Sequence, residues 1–282
     1  MDDLRSGATR VVGIIGWPVD HSLSPAIHNA AFRALGLDWV YVPLPVRPGG
    51  LPQALTGLLA LGLVGANVTM PHKENALRAC AALSEDAAVT RAVNTLIVSP
   101  HGLHGHNTDV PGFAGFLEED AGFDPKDREA LVYGAGGAAR ACVLALVRAG
   151  AASISVVARD PARAEAVRSL GEGTDRPVRV VAWADGPSAP ADLIVNATPL
   201  DGAGGELPLP ALRPGQLVVD LLYRPAVTPL VARARGAGAD AFSGLGMLVR
   251  QAGMSFELWT GQVPPIEVMS AAALAELGTT PR

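Results

Sequence analysis

Apolar and polar positions alternate with two different periods along the first hundred or so residues. Runs rich in β-branched residues predict strands over 10–15, 39–44 and 65–68, and a hairpin of 93–98 with 104–107 around a turn at 100–102. Apolar residues at helical spacing predict helices over 25–35, over 51–61 and, through the alanines after Pro71, as far as Leu83. This part is therefore predicted as α/β with a mixed sheet.

The pattern changes after about residue 110, where strands alternate regularly with helices. The predicted strands are 129–133, 153–158, 178–182, 192–196, 217–221 and 239–242, and the helices between them include 138–149, 161–170 and 228–236. Such alternation predicts a parallel, doubly wound sheet. Two last helices, over 247–259 and 265–277, are expected to pack back on the first part, which places a cleft between two domains.

Composition narrows the class of protein. The 282 residues exceed the usual size of one domain, and the net charge of −5 without a basic face argues against nucleic acid as a partner. No apolar stretch reaches the ~20 residues that a membrane helix needs, and the first ten residues show no signal peptide, so we expect a cytoplasmic location. Cys80 and Cys142, both in segments predicted as helical, indicate no disulfide or zinc site. His104 and His106 lack further metal ligands.

A glycine turn is the strongest candidate for a cofactor site. The segment GAGGAA (134–139) follows a predicted strand and opens a predicted helix, which is the context of a dinucleotide-binding turn. Gly134 permits the tight turn, Gly136 allows the backbone to approach a pyrophosphate, and the helix N-terminus attracts the anion. A glycine turn without a ligand is the alternative.

The end of the next strand bears on the choice of cofactor. Arginines there favour the extra phosphate of NADP, whereas an acidic residue binds the ribose hydroxyls of NAD. Arg159 and Arg163 are both present, with Asp160 between them. Asp160 before Pro161 is also an ordinary helix N-cap, and in that case it turns away from the cofactor. We expect NADP and leave NAD open.

The candidates for binding and reacting with a substrate are polar residues at positions where such residues are energetically unfavourable or uncommon. Ser22 and Ser24 are two residues apart and share a face in extended backbone, although Ser24 also fits as the cap of a helix starting at Pro25. Asn67 ends an apolar strand, and Thr69 fits a turn before Pro71. Lys73 falls in the first turn of a helix, where a cation opposes the helix dipole.

Three more candidates lie further along the chain. Asn94 interrupts an apolar strand, Asp109 stands at a helix start, and Gln251 sits within a helix. Each has an ordinary structural explanation, which for Asp109 is N-capping and for Gln251 is a solvent-facing position.

Together these segments resemble the shikimate dehydrogenase family, in the order in which that family carries them. The motifs are SLSP (22–25), NVTMPHK (67–73), AVNT (92–95), NTD (107–109), GAGGAA (134–139), NATPLDG (196–202), DLLYRP (220–225) and GLGMLVRQA (244–252). The resemblance covers nearly the whole chain, from Gly13 to about Gly261.

The resemblance implies an N-terminal α/β substrate domain over 1–110, completed by helices 246–282, and a Rossmann-type doubly wound NADP-binding domain over 111–245. It implies reversible reduction of 3-dehydroshikimate to shikimate with NADPH, in the biosynthesis of aromatic amino acids, with Lys73 and Asp109 as a catalytic dyad.

The implied substrate ligands are Ser22 and Ser24 for the carboxylate, Asn67, Thr69, Asn94 and Gln251 for the ring hydroxyls and reacting centre, and Tyr223 nearby. The implied cofactor residues are Gly134, Ala135, Gly136, Gly137, Ala138, Ala158, Arg159, Asp160 and Arg163, with Gly244 near the nicotinamide.

The sequence departs from the family at two places. Ala158-Arg159-Asp160 stands where Asn-Arg-Thr is usual, which weakens the case for NADP, and Pro199 replaces a serine. An NAD-dependent quinate/shikimate dehydrogenase is therefore one alternative, although Ser24 rather than threonine favours shikimate. Others are an amino-shikimate relative and, from a different class, a non-catalytic NADP-binding sensor or scaffold. Both monomer and homodimer remain open.

Overall fold

The protein consists of two compact units, as described by a computed structural model covering residues 6–189, 191–200 and 207–279. The first unit comprises Met1–Thr108 and Val249–Pro281, and the second comprises Asp109–Leu248. Part of the NATPLDG motif, Asp201 and Gly202, lies outside the described residues.

The first unit is built on a mixed six-stranded sheet. Its elements are β1 (Arg10–Gly16), α1 (Ser24–Ala34), β2 (Trp39–Pro45), α2 (Leu51–Ala60), β3 (Gly65–Val68), α3 (Lys73–Ala76), β4 (Cys80–Leu83), α4 (Glu85–Thr90), β5 (Thr95–Ser99), β6 (Gly102–His106), the end of α9 (Leu245–Thr260) and α10 (Ile266–Thr279). The strand order is β2-β1-β3-β5-β6-β4. β1 pairs in parallel with β2 and β3, whereas β5 is antiparallel to both β3 and β6. The prediction of a mixed sheet and of the hairpin β5–β6 is confirmed.

The long helix predicted from Pro71 to Leu83 is wrong. The helix α3 ends at Ala76, a 3₁₀ turn follows, and Cys80–Leu83 forms β4, which pairs in parallel with β6. The sulfur of Cys80 packs over Gly105, where a Cβ would lie only 2.7 Å from it. A run of alanines has high helix propensity, but pairing with a distant strand overrides it here. The helix α4, capped by Ser84 through a 3.2 Å bond from Ala87 N, was not predicted.

The sheet of the first unit gathers one set of chain segments at one edge. The carboxyl ends of β1, β3 and β6 lie at the same edge as the amino end of β5, because Thr95 is in register with both Asn67 and His106. The segments after β1, β3 and β6, and the residue before β5, therefore meet at this edge. They carry the motifs SLSP, NVTMPHK, NTD and AVNT.

The two C-terminal helices complete the core of the first unit. The helix α10 packs against α1, and Phe256 of α9 stacks on Phe32 with ring centroids 5.4 Å apart. The indole of Trp259 donates a 3.0 Å hydrogen bond to the carbonyl oxygen of Leu96 in β5. The rings of Phe256 and Trp259 are buried, so this segment supplies core side chains that residues 6–108 lack.

The second unit contains a parallel six-stranded sheet with the order β9-β8-β7-β10-β11-β12. Its elements are α5 (Asp109–Gly115), a π-helical turn (Phe116–Asp120), β7 (Glu129–Tyr133), α6 (Gly137–Arg148), β8 (Ser153–Val157), α7 (Pro161–Arg168), β9 (Val178–Val181), β10 (Leu193–Asn196), β11 (Leu217–Asp220), α8 (Pro229–Gly236) and β12 (Asp240–Ser243). The pairings are parallel throughout the described strands. The order reverses at β7, and this confirms the doubly wound Rossmann-type topology. No helix of the described residues is both long and apolar enough to cross a membrane.

Candidate active site

Three of the predicted substrate ligands meet in one buried cluster of the first unit. The Nδ2 atom of Asn67 lies 3.2 Å from the carbonyl oxygen of Asn94, and the Nδ2 atom of Asn94 lies 3.4 Å from Oε1 of Gln251. All three side chains are buried, although they come from β3, the segment before β5, and α9. The cluster lies at the sheet edge that gathers the motifs.

The structure corrects two details of these predictions. Asn94 does not interrupt a strand but directly precedes β5, and its Oδ1 accepts a 2.7 Å hydrogen bond from the backbone N–H of Thr108. Gln251 is only 9% exposed, so the solvent-facing explanation of this residue is wrong. Buried amides need partners, and these two find them in each other and in Thr108.

Sequence reasoning missed a layer of hydroxyl groups around these amides. Asn67 Nδ2 lies 3.0 Å from Thr95 Oγ1 and 2.9 Å from Ser255 Oγ, and Tyr41 Oη donates a 2.8 Å bond to Asn67 Oδ1. Thr95 and Ser255 are themselves 2.9 Å apart. A signal for Ser255 was its i, i+4 spacing from Gln251, which places both residues on the same helix face.

The SLSP segment differs from both readings of its serines. Leu23 has helical backbone angles, so Ser22 and Ser24 are not in extended backbone, and Ser24 is the first residue of α1 rather than a side-chain cap. Ser22 Oγ accepts a 3.2 Å hydrogen bond from the backbone N–H of Ser24. Burial raises the pKa of Tyr41, and a hydrogen bond with the Ser24 side chain opposes that rise. Ser24 is therefore adjacent to Tyr41.

Thr69 and Lys73 lie in and just after the turn that follows β3. Thr69 N donates to Ile15 O at 2.8 Å and Thr69 O accepts from His72 N at 2.9 Å, which fixes the turn. Lys73 is the first residue of α3, is half-buried, and its carbonyl accepts a 2.9 Å bond from Val93 N. The prediction of Lys73 in the first turn of a helix is confirmed.

Asp109 and Tyr223 belong to the second unit. Asp109 is the first residue of α5 and is 5% exposed, which is uncommon for a carboxylate. Tyr223 follows β11, and burial raises its pKa while the nearby Arg224 lowers it. Each of these polar groups sits where desolvation is costly, as is frequent at functional sites.

The glycine turn after β7 has the geometry of an anion-binding turn. Gly134 has a φ of +117°, and a Cβ there would lie 2.8 Å from the carbonyl oxygen of Ala197, so only glycine fits. Gly136 is the N-cap of α6 and makes no side-chain cap, and a Cβ on it would meet nothing within 4 Å. The space and the N–H groups at this end of α6, over Gly137 and Ala138, fit a pyrophosphate. Ala135 lies within the same turn.

In the segment after β8, Asp160 makes local hydrogen bonds to the start of α7. Asp160 Oδ1 accepts hydrogen bonds from the backbone N–H groups of Ala162 at 3.0 Å and of Arg163 at 3.3 Å. Asp160 is therefore the N-cap of α7, as one reading of the sequence predicted. Arg159 is exposed and lies over the ring of Trp183 at 5.8 Å from its centroid. Ala158 is the residue between the end of β8 and Arg159.

Gly244 has a packing reason to be glycine. A Cβ at this position would clash with the carbonyl oxygen of Leu221, the residue directly after β11. The residue follows β12 directly and precedes α9. Its close approach to β11 accounts for the glycine without reference to a ligand. The predicted place near the nicotinamide stays a prediction.

Comparison with known proteins matches both ends of the chain to one family. Residues 14–96 match the family described as "Shikimate dehydrogenase substrate binding domain", and residues 244–274 match the "Shikimate 5'-dehydrogenase C-terminal domain". A protein of Citrifermentans bemidjiense named "Shikimate dehydrogenase (NADP(+))" is 46% identical over 286 residues, covering 98% of each chain.

The chain belongs to the shikimate dehydrogenase family.

Two solved structures show how widely the family fold is shared. The Thermus thermophilus shikimate 5-dehydrogenase in complex with NADP(H) and shikimate is 36% identical, with a TM-score of 0.84 over 95% of this chain and 99% of that one. The Corynebacterium glutamicum quinate dehydrogenase in complex with NAD is 32% identical, with a TM-score of 0.86 over 95% and 99%. In the shikimate dehydrogenase family, the fold alone therefore does not select between these substrates and cofactors.

Proposed function

We propose that this protein catalyses the reversible, NADPH-dependent reduction of 3-dehydroshikimate to shikimate. The observation that carries the proposal is the buried cluster of Asn67, Asn94 and Gln251 at the sheet edge, in a chain 46% identical to a protein named shikimate dehydrogenase (NADP(+)). A polyhydroxylated ring needs several fixed polar groups, and buried amides supply both donors and acceptors.

The substrate ligands are proposed by the chemistry that each group offers. Ser22 and Ser24, at the start of α1, bind the carboxylate with their hydroxyls and with the N–H groups of the helix start. Asn67, Thr69, Asn94 and Gln251 bind the ring hydroxyls and the reacting centre. Tyr223 completes this set with its phenol, which can donate or accept a hydrogen bond.

Lys73 and Asp109 are proposed as the catalytic pair. Lys73 donates a proton to the C3 oxygen when that oxygen gains charge, and it takes the proton back in the reverse direction. Asp109 holds the substrate hydroxyl and keeps the ammonium group positioned. The sequence supports a lysine here for a chemical reason: Lys73 and Lys126 are the only lysines among 22 cationic residues, and arginine cannot release a proton.

NADPH, when bound, supplies the hydride. The turn from Gly134 to Ala138 would hold the pyrophosphate at the start of α6. Arg159 and Arg163, beside Ala158, would bind the 2′-phosphate through charge-assisted bonds. Asp160 is committed to capping α7, and this lowers its weight as a ribose ligand of NAD.

A quinate/shikimate dehydrogenase using NAD is the second candidate. The likeness to the Corynebacterium glutamicum enzyme and the acidic residue after β8 favour it. The capping bonds of Asp160 weigh against it, as do two neighbouring arginines.

Absorbance of the reduced nicotinamide tests the proposal directly. Shikimate and quinate are each assayed with NADP and with NAD, and we expect the highest kcat/KM with shikimate and NADP. Quinate with NAD as the best pair would replace the proposal by the second candidate. Turnover with none of the four pairs, together with measurable NADP binding, would point to a sensor or scaffold.

A further inference from the structure

Tyr41 is held on several sides in the first unit, although no substrate role is assigned to it. Its ring stacks on His28 with centroids 4.4 Å apart and planes 4° apart, and Trp259 lies 6.1 Å away. Asn29 fixes its backbone by donating to Tyr41 O at 2.9 Å and accepting from Tyr41 N at 2.8 Å. The phenol is 1% exposed, so the position of its oxygen is tightly determined.

The orientation of the Asn67 amide follows from its neighbours. The carbonyl oxygen of Asn94 accepts hydrogen bonds only, and it lies 3.2 Å from one end of this amide. That end must therefore be the nitrogen, since two carbonyl oxygens at this distance would repel. The oxygen Oδ1 then faces Tyr41 Oη at 2.8 Å, and the phenol must donate its only proton there.

Counting donors and acceptors shows what remains of this amide. The two protons of Asn67 Nδ2 have three acceptors in reach: Asn94 O, Thr95 Oγ1 and Ser255 Oγ. The oxygen Oδ1 has two lone pairs, and one of them is used by Tyr41. The other lone pair of Oδ1 can still accept a hydrogen bond, and 5% of the Asn67 surface is exposed.

We propose that Tyr41 is a positioning residue for substrate recognition: its hydroxyl fixes the Asn67 amide so that Asn67 presents a lone pair to a hydroxyl of the substrate. This rests on the proposed function, because it takes Asn67 as a ligand of the ring. The inference also specifies the direction of the hydrogen bond: the substrate hydroxyl donates and Asn67 Oδ1 accepts. A keto oxygen or a fluorine at that ring position cannot donate and is disfavoured.

The variant Tyr41→Phe removes one oxygen and keeps the packing of the ring. We expect the KM for shikimate to rise roughly tenfold, while kcat and the KM for NADP change less than about threefold. The matched control is Tyr133→Phe in the second unit, because that phenol is equally buried and donates a 2.6 Å bond to Pro208 O. Both variants lose the hydrogen bond of a tyrosine that is buried in its unit, so a purely structural role predicts the same kinetics for both.

A double-mutant cycle shows whether Tyr41 acts through Asn67. In the Asn67→Ala background, Tyr41→Phe is expected to have no further effect on the KM for shikimate. Additive effects in the cycle, or an unchanged KM for shikimate in Tyr41→Phe itself, would overturn the inference. Neither result would affect the proposed function, because the wild-type protein would still turn over shikimate. A wild-type protein without shikimate activity would remove both.

Calorimetry gives a further test, and its first part uses only the wild-type protein. Shikimate analogues in which each ring hydroxyl in turn is replaced by fluorine are titrated into it. We expect at least one analogue to bind roughly tenfold or more weakly than shikimate, and Tyr41→Phe to reduce that difference. Equal affinity for all analogues would exclude an acceptor facing any ring hydroxyl and would overturn the inference.

Discussion

At the scale of single residues, the proposed site depends on two kinds of group: a lysine, which is rare in this chain, and buried side-chain amides. Lysine occurs only at 73 and 126, whereas arginine supplies the remaining cations. The amides of Asn67 and Asn94 are buried, and in each of them both the oxygen and the nitrogen are hydrogen-bonded. These bonds fix which end of each amide is the donor and which is the acceptor. Sequence reasoning singled out these two residues as candidate ligands because a polar residue stands out in an apolar segment. It missed Tyr41, because a tyrosine in a strand needs no special explanation.

Replacing Lys73 tests the proton-transfer role. Lys73→Ala is expected to lower kcat by about two to four orders of magnitude and to change the KM for shikimate little. Lys73→Arg keeps the charge and should be nearly as slow, because arginine keeps its proton. Lys126→Ala, an exposed lysine in the second unit, serves as the control in the same steady-state assay. Turnover near that of the wild type in Lys73→Ala would remove Lys73 from the mechanism.

His28 makes the stability of the protein depend on pH. Burial lowers its pKa from 6.5 to about 3, and neither ring nitrogen has a hydrogen-bond partner among the described residues. The unfolded chain therefore binds more protons than the folded one between these pH values. Its contribution, up to about 5 kcal/mol, is present above pH 6.5 and is lost as the pH falls towards 3.

We expect His28→Phe to flatten this dependence. Urea unfolding at pH 7, 5 and 4 should show the free energy of unfolding of the wild type falling more steeply than that of the variant. Parallel curves for the two proteins would mean that His28 is protonated in the folded state or reached by water.

At the scale of elements, local signals decided some boundaries and distant pairing decided others. The cap at Asp160, the turn at Gly134 and the hairpin β5–β6 follow from residues within a few positions of each other, and all three were predicted. The strand β4 depends on β6, which lies some twenty residues later, and its alanines read as helix. Local propensity cannot reveal a partner that the chain meets only after folding.

Gly134→Ala tests the turn after β7. Alanine is strained at a φ of +117°, and its Cβ would meet Ala197 O at 2.8 Å. We expect a loss of at least about 1 kcal/mol in the free energy of unfolding and a weaker Kd for NADP. Gly173→Ala, with a φ of +77° and no neighbour within 4 Å of the Cβ, is a control for backbone strain alone. Unchanged NADP affinity in Gly134→Ala would argue against the turn as the pyrophosphate site.

Asp160 allows the cap of α7 to be separated from its charge. Asp160→Ser keeps a capping oxygen and removes the carboxylate, so we expect unchanged stability and a Kd for NADP a few-fold lower. Asp160→Ala removes both, and it should cost about 1 kcal/mol of stability. Binding of NADP and NAD is measured by calorimetry and unfolding by heat. Weaker NADP binding by Asp160→Ser would show that the carboxylate contributes to the cofactor site.

At the scale of the whole molecule, the two units differ in how the chain builds them. The second unit is one continuous segment, whereas the first needs residues from 249 onward to complete its core. The pattern of strands and helices predicted both sheets, and the C-terminal helices were expected to return. The hydroxyl cluster could not be predicted, because Ser255 reaches Thr95 and Thr108 only when α9 packs in the first unit.

Excision of the second unit tests its independence. A fragment of residues 109–248 is expected to fold with a cooperative thermal transition and to bind 2′,5′-ADP. A fragment of residues 1–108 lacks Phe256 and Trp259 and is expected to show no near-ultraviolet dichroism. Cooperative unfolding of the 1–108 fragment would contradict this view of the core.

The return of the chain to its first unit also sets an order of events on the ribosome. Domains fold as units, commonly from the N-terminus onward during translation. Here residues 6–108 wait for the later segment from 249 onward, while residues 109–248 already contain every strand of their own sheet. The apolar surface that Phe256 and Trp259 cover therefore stays open on the nascent polypeptide until those residues have been made, and we expect a chaperone to bind there.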